Sequence, residues 1–190
     1  PTRMRSLVPV ATGITGRGDE STIRDLEKQF EAAAGWNNGH YYGGEAGVRH
    51  VLIEFRSNVL RNYGVDVELR DRGLDETAVK AQLQSQAAKW ATEFDANSLI
   101  TLRRCATKYD AKPEAARIAA PLLYILSTTD TLFGPELGKP TIEHIRKVAG
   151  IDATYFQLES PYGHRAPSVD WAKWAKVLER FLDTTASLAA

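Results

Sequence analysis

The sequence predicts an α/β fold, a parallel sheet flanked by helices and interrupted by a long helical block. Three observations carry this prediction. Leu122-Leu123-Tyr124-Ile125-Leu126 is a nearly unbroken apolar run, and a strand without polar alternation is one covered on both faces, as in a parallel sheet. Between residues 23 and 109, apolar side chains recur at helical spacing. After Pro113, strand and helix patterns alternate, the βαβ order that parallel pairing requires.

Taken in order, Ser6 to Ala11 reads as the first strand, with Leu7, Val8 and Val10 as its apolar residues. Four amphipathic helices follow: Ile23, Leu26, Phe30 and Ala34; Val48, Leu52, Phe55 and Val59; Val79, Leu83, Ala87, Trp90 and Phe94; Leu99, Leu102, Ala106 and Tyr109. Turn-rich stretches join them, Gly35-Trp36-Asn37-Asn38-Gly39 and Tyr63-Gly64-Val65-Asp66 among them. Pro121 to Leu126 is the second strand. A helix from about Thr141 to Ala149 is stopped by Gly150, and Ala153 to Leu158 is the third strand. The last helix carries Trp171, Trp174, Ala175, Leu178, Phe181 and Leu182 on one face, behind Pro167-Ser168 as its cap. The expected organisation is a core strand in 1–18, an inserted helical block in 19–112, and the remaining core in 113–190.

Composition narrows the function classes. With 190 residues, 43% of them hydrophobic and 25% charged, the chain has the makeup of a folded domain and not of a disordered one. Its 24 basic and 24 acidic side chains cancel, which argues against nucleic-acid and membrane-surface partners, since both select a basic excess. The apolar runs Leu7 to Ala11 and Ile118 to Leu126 are too short to span a bilayer. No signal-peptide core precedes them, so the expected compartment is cytoplasmic. Cys105 is the single cysteine and has no partner for a bridge or a zinc site, so no metal is expected. Lying beside Leu102 and Ala106, it reads as a buried structural thiol. The chain has no initiator Met and reaches an apolar run within ten residues, so it is expected to begin inside a fold.

In open parallel sheets, ligands bind beyond the carboxyl ends of the strands. The strand ending at Leu126 runs into Ser127-Thr128-Thr129-Asp130, and the strand ending at Leu158 runs into Glu159-Ser160-Pro161-Tyr162-Gly163-His164. Neighbouring strands lie about 4.8 Å apart, so a carboxylate and an imidazole on these two loops can meet. Such a pair can orient a general base, and the order Asp then His is that of α/β-hydrolase triads. Each residue also has a plainer reading, Asp130 as a turn former and His164 as a surface side chain. No serine lies in Gly-x-Ser-x-Gly, the turn that presents a nucleophile in such folds.

These residues resemble a family. Leu122 to Asp130 with Thr131-Leu132-Phe133-Gly134-Pro135, followed by Tyr162-Gly163-His164, is similar to the acid and histidine motifs of the homoserine O-acetyltransferase branch of α/β-hydrolases. The opening Pro1 to Thr12 resembles that branch's entry into the sixth strand. Trp36-Asn37-Asn38-Gly39-His40-Tyr41-Tyr42 and Phe94-Asp95-Ala96-Asn97-Ser98 resemble signatures of its helical lid. The resemblance implies the C-terminal part of a hydrolase sheet with an inserted lid, Asp130 as triad acid and His164 as triad base. It implies that the nucleophilic serine and the oxyanion hole lie upstream of Pro1 or on another chain. It implies a small acyl substrate, no permanently bound cofactor with acyl-CoA as a candidate co-substrate, and a homodimer through the lid. Arg49, Arg56 and Tyr41 become substrate-binding candidates, and Trp36, Tyr42 and Phe94 candidate linings of a tunnel that the lid roofs.

One position departs from the pattern. The family carries an Asp after the histidine to receive an amino group, where this sequence has Arg165. A guanidinium repels an ammonium, so Arg165 points to an acidic or neutral substrate, or to water as acceptor. The expected activity is therefore serine-dependent acyl transfer or ester or amide hydrolysis. The competing reading is a non-catalytic or partner-dependent binding module.

Overall fold

The computed structural model describes residues 3–187; Pro1 and Thr2 of the opening segment lie outside them. The chain forms two compact units. One comprises the chain up to Thr15, Asn62–Gly64, and the chain from Asp110 onward; the other comprises Gly16–Arg61 and Val65–Tyr109.

The first unit is built on a parallel pair, β1 (Leu122–Ser127) and β2 (Ala153–Leu158), in a register running from Leu122 opposite Ala153 to Ser127 opposite Leu158. The crossover between them is α6 (Gly138–Ala149), ended by Gly150 in the left-handed region, φ 66°, with its N–H donated to Arg146 O. A short helix, α7 (Ala166–Val169), and a long one, α8 (Ala172–Ser187), complete the unit. Every residue of β1 is buried. Leu122, Tyr124 and Leu126 pack with Ile142 and Ile145 of α6, while Leu123 and Ile125 face Leu158, Ala166 and the apolar side of α8 at Trp174, Leu178 and Phe181. Covering both faces is the reason the run lacks polar alternation, and each such aliphatic side chain contributes about 1.5–3 kcal/mol on burial.

The expected first strand is present as an interrupted ladder. Leu7 N–H donates to Pro121 O at 2.9 Å, Leu123 N–H to Leu7 O at 2.9 Å, Ile125 N–H to Pro9 O at 3.0 Å, and Ala11 N–H to Ile125 O at 2.9 Å. The rung missing from this parallel series is the one in which residue 9 would donate to Leu123 O, and proline has no N–H to give. The segment is therefore two parallel bridges, Leu7 with Leu122 and Val10 with Ile125, and not a continuous strand.

The second unit contains α1 (Glu20–Glu31), α2 (Ala46–Asn62), α3 (Val65–Asp71), α4 (Glu76–Ala91) and α5 (Ala96–Lys108). Asp19, Asp75 and Asp95 cap α1, α4 and α5 by accepting the N–H of Thr22, Ala78 and Ser98. The core joins Leu26 and Phe30 of α1, Val48 and Leu52 of α2, Ala91 of α4, and Ala96, Leu99 and Ile100 of α5 around Tyr41.

Four sequence expectations change here. The stretch read as a connecting turn, Tyr63 to Asp66, contains the start of a fifth helix, α3. In α5 the buried face is Ala96, Leu99 and Ile100, whereas Leu102 and Tyr109 are exposed. Cys105, on the same solvent side, is exposed and not a core thiol. Pro167-Ser168 form α7, with Ser168 Oγ donating to Arg165 O, so they do not cap the last helix, and Trp171 points to solvent ahead of it. No described helix is long and apolar enough to cross a membrane.

Candidate active site

The site begins at the carboxyl ends of β1 and β2. Ser127 lies opposite Leu158 in the register, so the two loops leave the sheet at the same level. Two threonines stitch them together. Thr128 N–H donates to Leu158 O at 3.1 Å, and its Oγ1 accepts from Ser160 N–H at 3.2 Å. Thr129 Oγ1 donates to Ser160 O at 2.7 Å and accepts from Gly163 N–H at 3.0 Å. Both hydroxyls thus fix the histidine loop against the acid loop.

Asp130 sits at the head of this network with its side chain fully buried. Its Oδ1 accepts the N–H groups of Leu132 at 2.7 Å and Phe133 at 3.2 Å, an Asx turn that sets the carboxylate plane. Its Oδ2 faces His164 Nδ1 at 2.9 Å. Burial pushes the Asp130 carboxyl upward, but the His164 hydrogen bond and the two backbone N–H groups outweigh it and hold the group below its ordinary value. An ionised carboxylate only accepts, so Nδ1 carries the proton, and in the neutral imidazole Nε2 is the nitrogen with the free lone pair. The His164 side chain is 24% exposed while Asp130 is sealed. Such an arrangement can serve as a base with a fixed tautomer, backed by a buried anion able to stabilise an imidazolium. Asp130 also makes the turn its plainer reading foresaw; the two uses occupy different carboxylate oxygens.

Two aromatic rings stand close to the imidazole, Tyr63 at 4.8 Å and Phe133 at 6.0 Å between centroids. Thr128, Thr129 and Phe133 lie within the acid motif; Tyr63 is placed at the imidazole by the fold alone. Ser127-Thr128-Thr129 is a signal, a run of hydroxyls at a strand end, but its cross-loop partners are thirty or more residues away in sequence. Arg165 follows His164 directly and is half-buried, with its N–H shared between Tyr63 O at 3.1 Å and Tyr162 O at 3.0 Å.

The other sequence candidates lie in the helical unit. Tyr41 is buried; its hydroxyl donates to Asp95 Oδ2 at 2.5 Å and accepts from Ala96 N–H at 2.9 Å. Burial, reinforced by Asp95, pushes its phenol up to about 12. Tyr42 donates to the same Asp95 oxygen at 3.1 Å. Phe30, Trp36, Tyr41 and Tyr42 form a continuous stack with centroid separations of 5.4, 5.6 and 4.7 Å. Trp36 and Tyr41 thereby pack the unit's core. Arg49 pairs with Glu45 at 2.8 Å and, with Tyr41, Tyr42, Phe94 and Asp95, lines a cavity of about 210 Å³ within this unit. The Arg56 guanidinium lies 5.3 Å over the Trp90 ring. Among the described residues no cluster of three or more His, Cys, Asp or Glu has the arrangement to hold a metal ion.

No family model matches the chain. It is 31% identical to a homoserine O-acetyltransferase of Symbiobacterium thermophilum, an alignment covering 96% of this chain and 53% of that protein. It is 26% identical to a homoserine O-acetyltransferase of Carboxydothermus hydrogenoformans, covering 100% and 56%. Among solved structures, esterase E22 superposes with a TM-score of 0.72 over 94% of this chain and 54% of its own, at 20% identity. The chain belongs to the α/β-hydrolase superfamily, on its homoserine O-acetyltransferase-like branch. The homoserine O-acetyltransferase from Bacillus anthracis gives a TM-score of 0.67 at 17% identity, covering 93% of this chain and 52% of its own. The chain spans about half the length of the curated relatives it matches, and it corresponds to the C-terminal part of the α/β-hydrolase fold.

Proposed function

We propose that Asp130 and His164 are the acid and base of a serine-dependent acyl transfer or ester or amide hydrolysis. The observation that carries the reading is the 2.9 Å contact between His164 Nδ1 and the sealed Asp130 carboxylate, with the imidazole partly open. The nucleophilic serine belongs to a segment or chain outside these 190 residues, since none of their serines lies in Gly-x-Ser-x-Gly. His164 Nε2 takes the serine proton as the oxygen attacks the acyl carbon, then delivers it to the leaving group as the acyl-serine forms. In the second half, Nε2 takes a proton from water or an acceptor hydroxyl, which attacks the acyl-serine, and returns it to the serine as the ester opens. Asp130 keeps the ring in the productive tautomer and stabilises the imidazolium in both halves.

Names of relatives support acyl chemistry: homoserine O-acetyltransferases by sequence and an esterase by fold. Acyl-CoA is the candidate donor, with no permanently bound cofactor. Arg49 is the substrate-binding candidate that lines a cavity together with Tyr41, and the helical unit is the insertion through which a homodimer would form in the cytoplasm. Arg165 disfavours an acceptor bearing an ammonium group.

The test is His164→Ala in the full-length protein, assayed with a p-nitrophenyl ester and with acetyl-CoA. Turnover should fall by about 10⁴- to 10⁶-fold, with the variant still showing a cooperative thermal melt. Wild-type rates in the variant would remove the role assigned to His164; absence of turnover in the unsubstituted protein would leave the binding-module reading.

A further inference from the structure

We infer that Tyr63, with Gly64, is the positioning element for His164, reaching it from a part of the chain that sequence separates from it by about a hundred residues. The inference rests on the acid–base reading above and adds the device that holds the base in place.

Tyr63 and Gly64 link α2 to α3, yet with Asn62, the last residue of α2, they group with the core unit while the rest of both helices groups with the other. Three contacts account for this. Tyr63 O accepts the Arg165 N–H at 3.1 Å, beside the Tyr162 O that shares the same donor. Gly64 adopts φ +85°, and a Cβ there would stand 2.5 Å from Tyr162 O. Only glycine tolerates both that conformation and that approach. The Tyr63 ring lies 4.8 Å from the imidazole at an interplanar angle of 37°. The link therefore grips the residues on both sides of His164 through their backbone and packs the ring itself through a side chain.

The mechanical consequence follows from the imidazole's geometry. Rotation of the ring about its last torsion exchanges Nδ1 for a carbon and breaks the contact to Asp130, and that torsion is intrinsically broad. Thr129 and Ser160 fix the loop, and Asp130 supplies one hydrogen bond, but neither restricts the ring face. Tyr63 does so by van der Waals contact, which needs the aromatic ring and not the phenol oxygen. A base displaced by even 1 Å loses about 10²-fold in rate.

The experiment compares Tyr63→Phe, Tyr63→Ala and Gly64→Ala in the full-length protein by steady-state kinetics, thermal unfolding and proton NMR of the imidazole Nδ1–H hydrogen-bonded to Asp130. Tyr63→Phe should keep kcat within about twofold and retain the downfield Nδ1–H signal. Tyr63→Ala should lower kcat by about 10- to 100-fold with KM unchanged, and broaden or remove that signal while the protein stays folded. Gly64→Ala should lower both kcat and the thermal midpoint. An unaltered kcat and Nδ1–H signal in Tyr63→Ala would overturn the inference; so would a loss in Tyr63→Phe as large as in Tyr63→Ala, which would place the hydroxyl in the chemistry instead. If His164→Ala and Asp130→Asn leave activity intact, the acyl-transfer reading fails, and the Nδ1–H signal still decides whether Tyr63 positions the ring.

Discussion

Asp130 concentrates the residue-scale argument because its two oxygens do separate work, one holding the Leu132–Phe133 turn and the other facing His164. Asn at this position can still accept the turn N–H groups through its carbonyl oxygen. Its amide nitrogen, however, meets His164 as a donor, which forces the wrong imidazole tautomer. Asp130→Asn should therefore fold and lose about 10⁴-fold in kcat, read by steady-state ester hydrolysis beside a thermal melt. Arg165 sets a second prediction. If the guanidinium excludes an amino-bearing acceptor, Arg165→Asp should raise acetyl transfer to homoserine, measured as O-acetylhomoserine formed from acetyl-CoA; no gain would mean that the side chain does not face the acceptor.

At the scale of elements, the helix caps separate a simple role from a compound one. Asp75 is exposed and contributes one hydrogen bond, to Ala78 N–H at 2.8 Å. Asp95 accepts from Ser98 N–H at 2.6 Å and also from the Tyr41 and Tyr42 hydroxyls. Asp75→Ala should cost about 1 kcal/mol. Asp95→Ala removes a comparable cap and leaves the buried Tyr41 hydroxyl without its acceptor, an added cost of about 1–3 kcal/mol. Urea denaturation of the two variants should separate them clearly, and equal losses would mean the tyrosine–aspartate contact adds nothing. The elements most legible in the sequence were those whose signal is local: β1 from its unbroken apolar run, α6 from its period and terminal Gly150, and the three Asp-capped helices. Pro9 shows where local reading stops short, because the sequence marks a strand but only the partner's register reveals which rung the proline deletes. The fifth helix escaped because α3 is seven residues long, too short to display a period, and begins directly after a glycine that reads as a turn.

For the molecule as a whole, the site pairs a motif visible in sequence with supports that are not. Asp130 and His164 stand out because each follows a strand, whereas Tyr63 reaches the imidazole across a separation that only the fold closes. The burial of Ala96, Leu99 and Ile100 in place of Leu102 and Tyr109 has the same origin: α5 carries apolar residues around much of its girth, and its neighbours decide which side is covered. Stability should carry a signature of the buried acid. Asp130 and Asp95 are both held below the ordinary aspartate value of 3.8, so the folded state binds their protons less readily than the unfolded chain. Their contribution is present above that value and is lost as pH falls through the folded-state values. The thermal midpoint should fall steeply below about pH 4, and in Asp130→Asn that acid slope should be shallower; an unchanged slope would mean the carboxylate is not ionised in the fold.

The most direct test of the central claim, that Asp130 and His164 act as one unit, is a double-substitution cycle on kcat for ester hydrolysis in the full-length protein. If the aspartate works only through the imidazole, Asp130→Asn combined with His164→Ala should be no slower than His164→Ala alone. Losses that multiply, with the double variant slower by the product of the two single effects, would show that the residues act independently and would contradict the account.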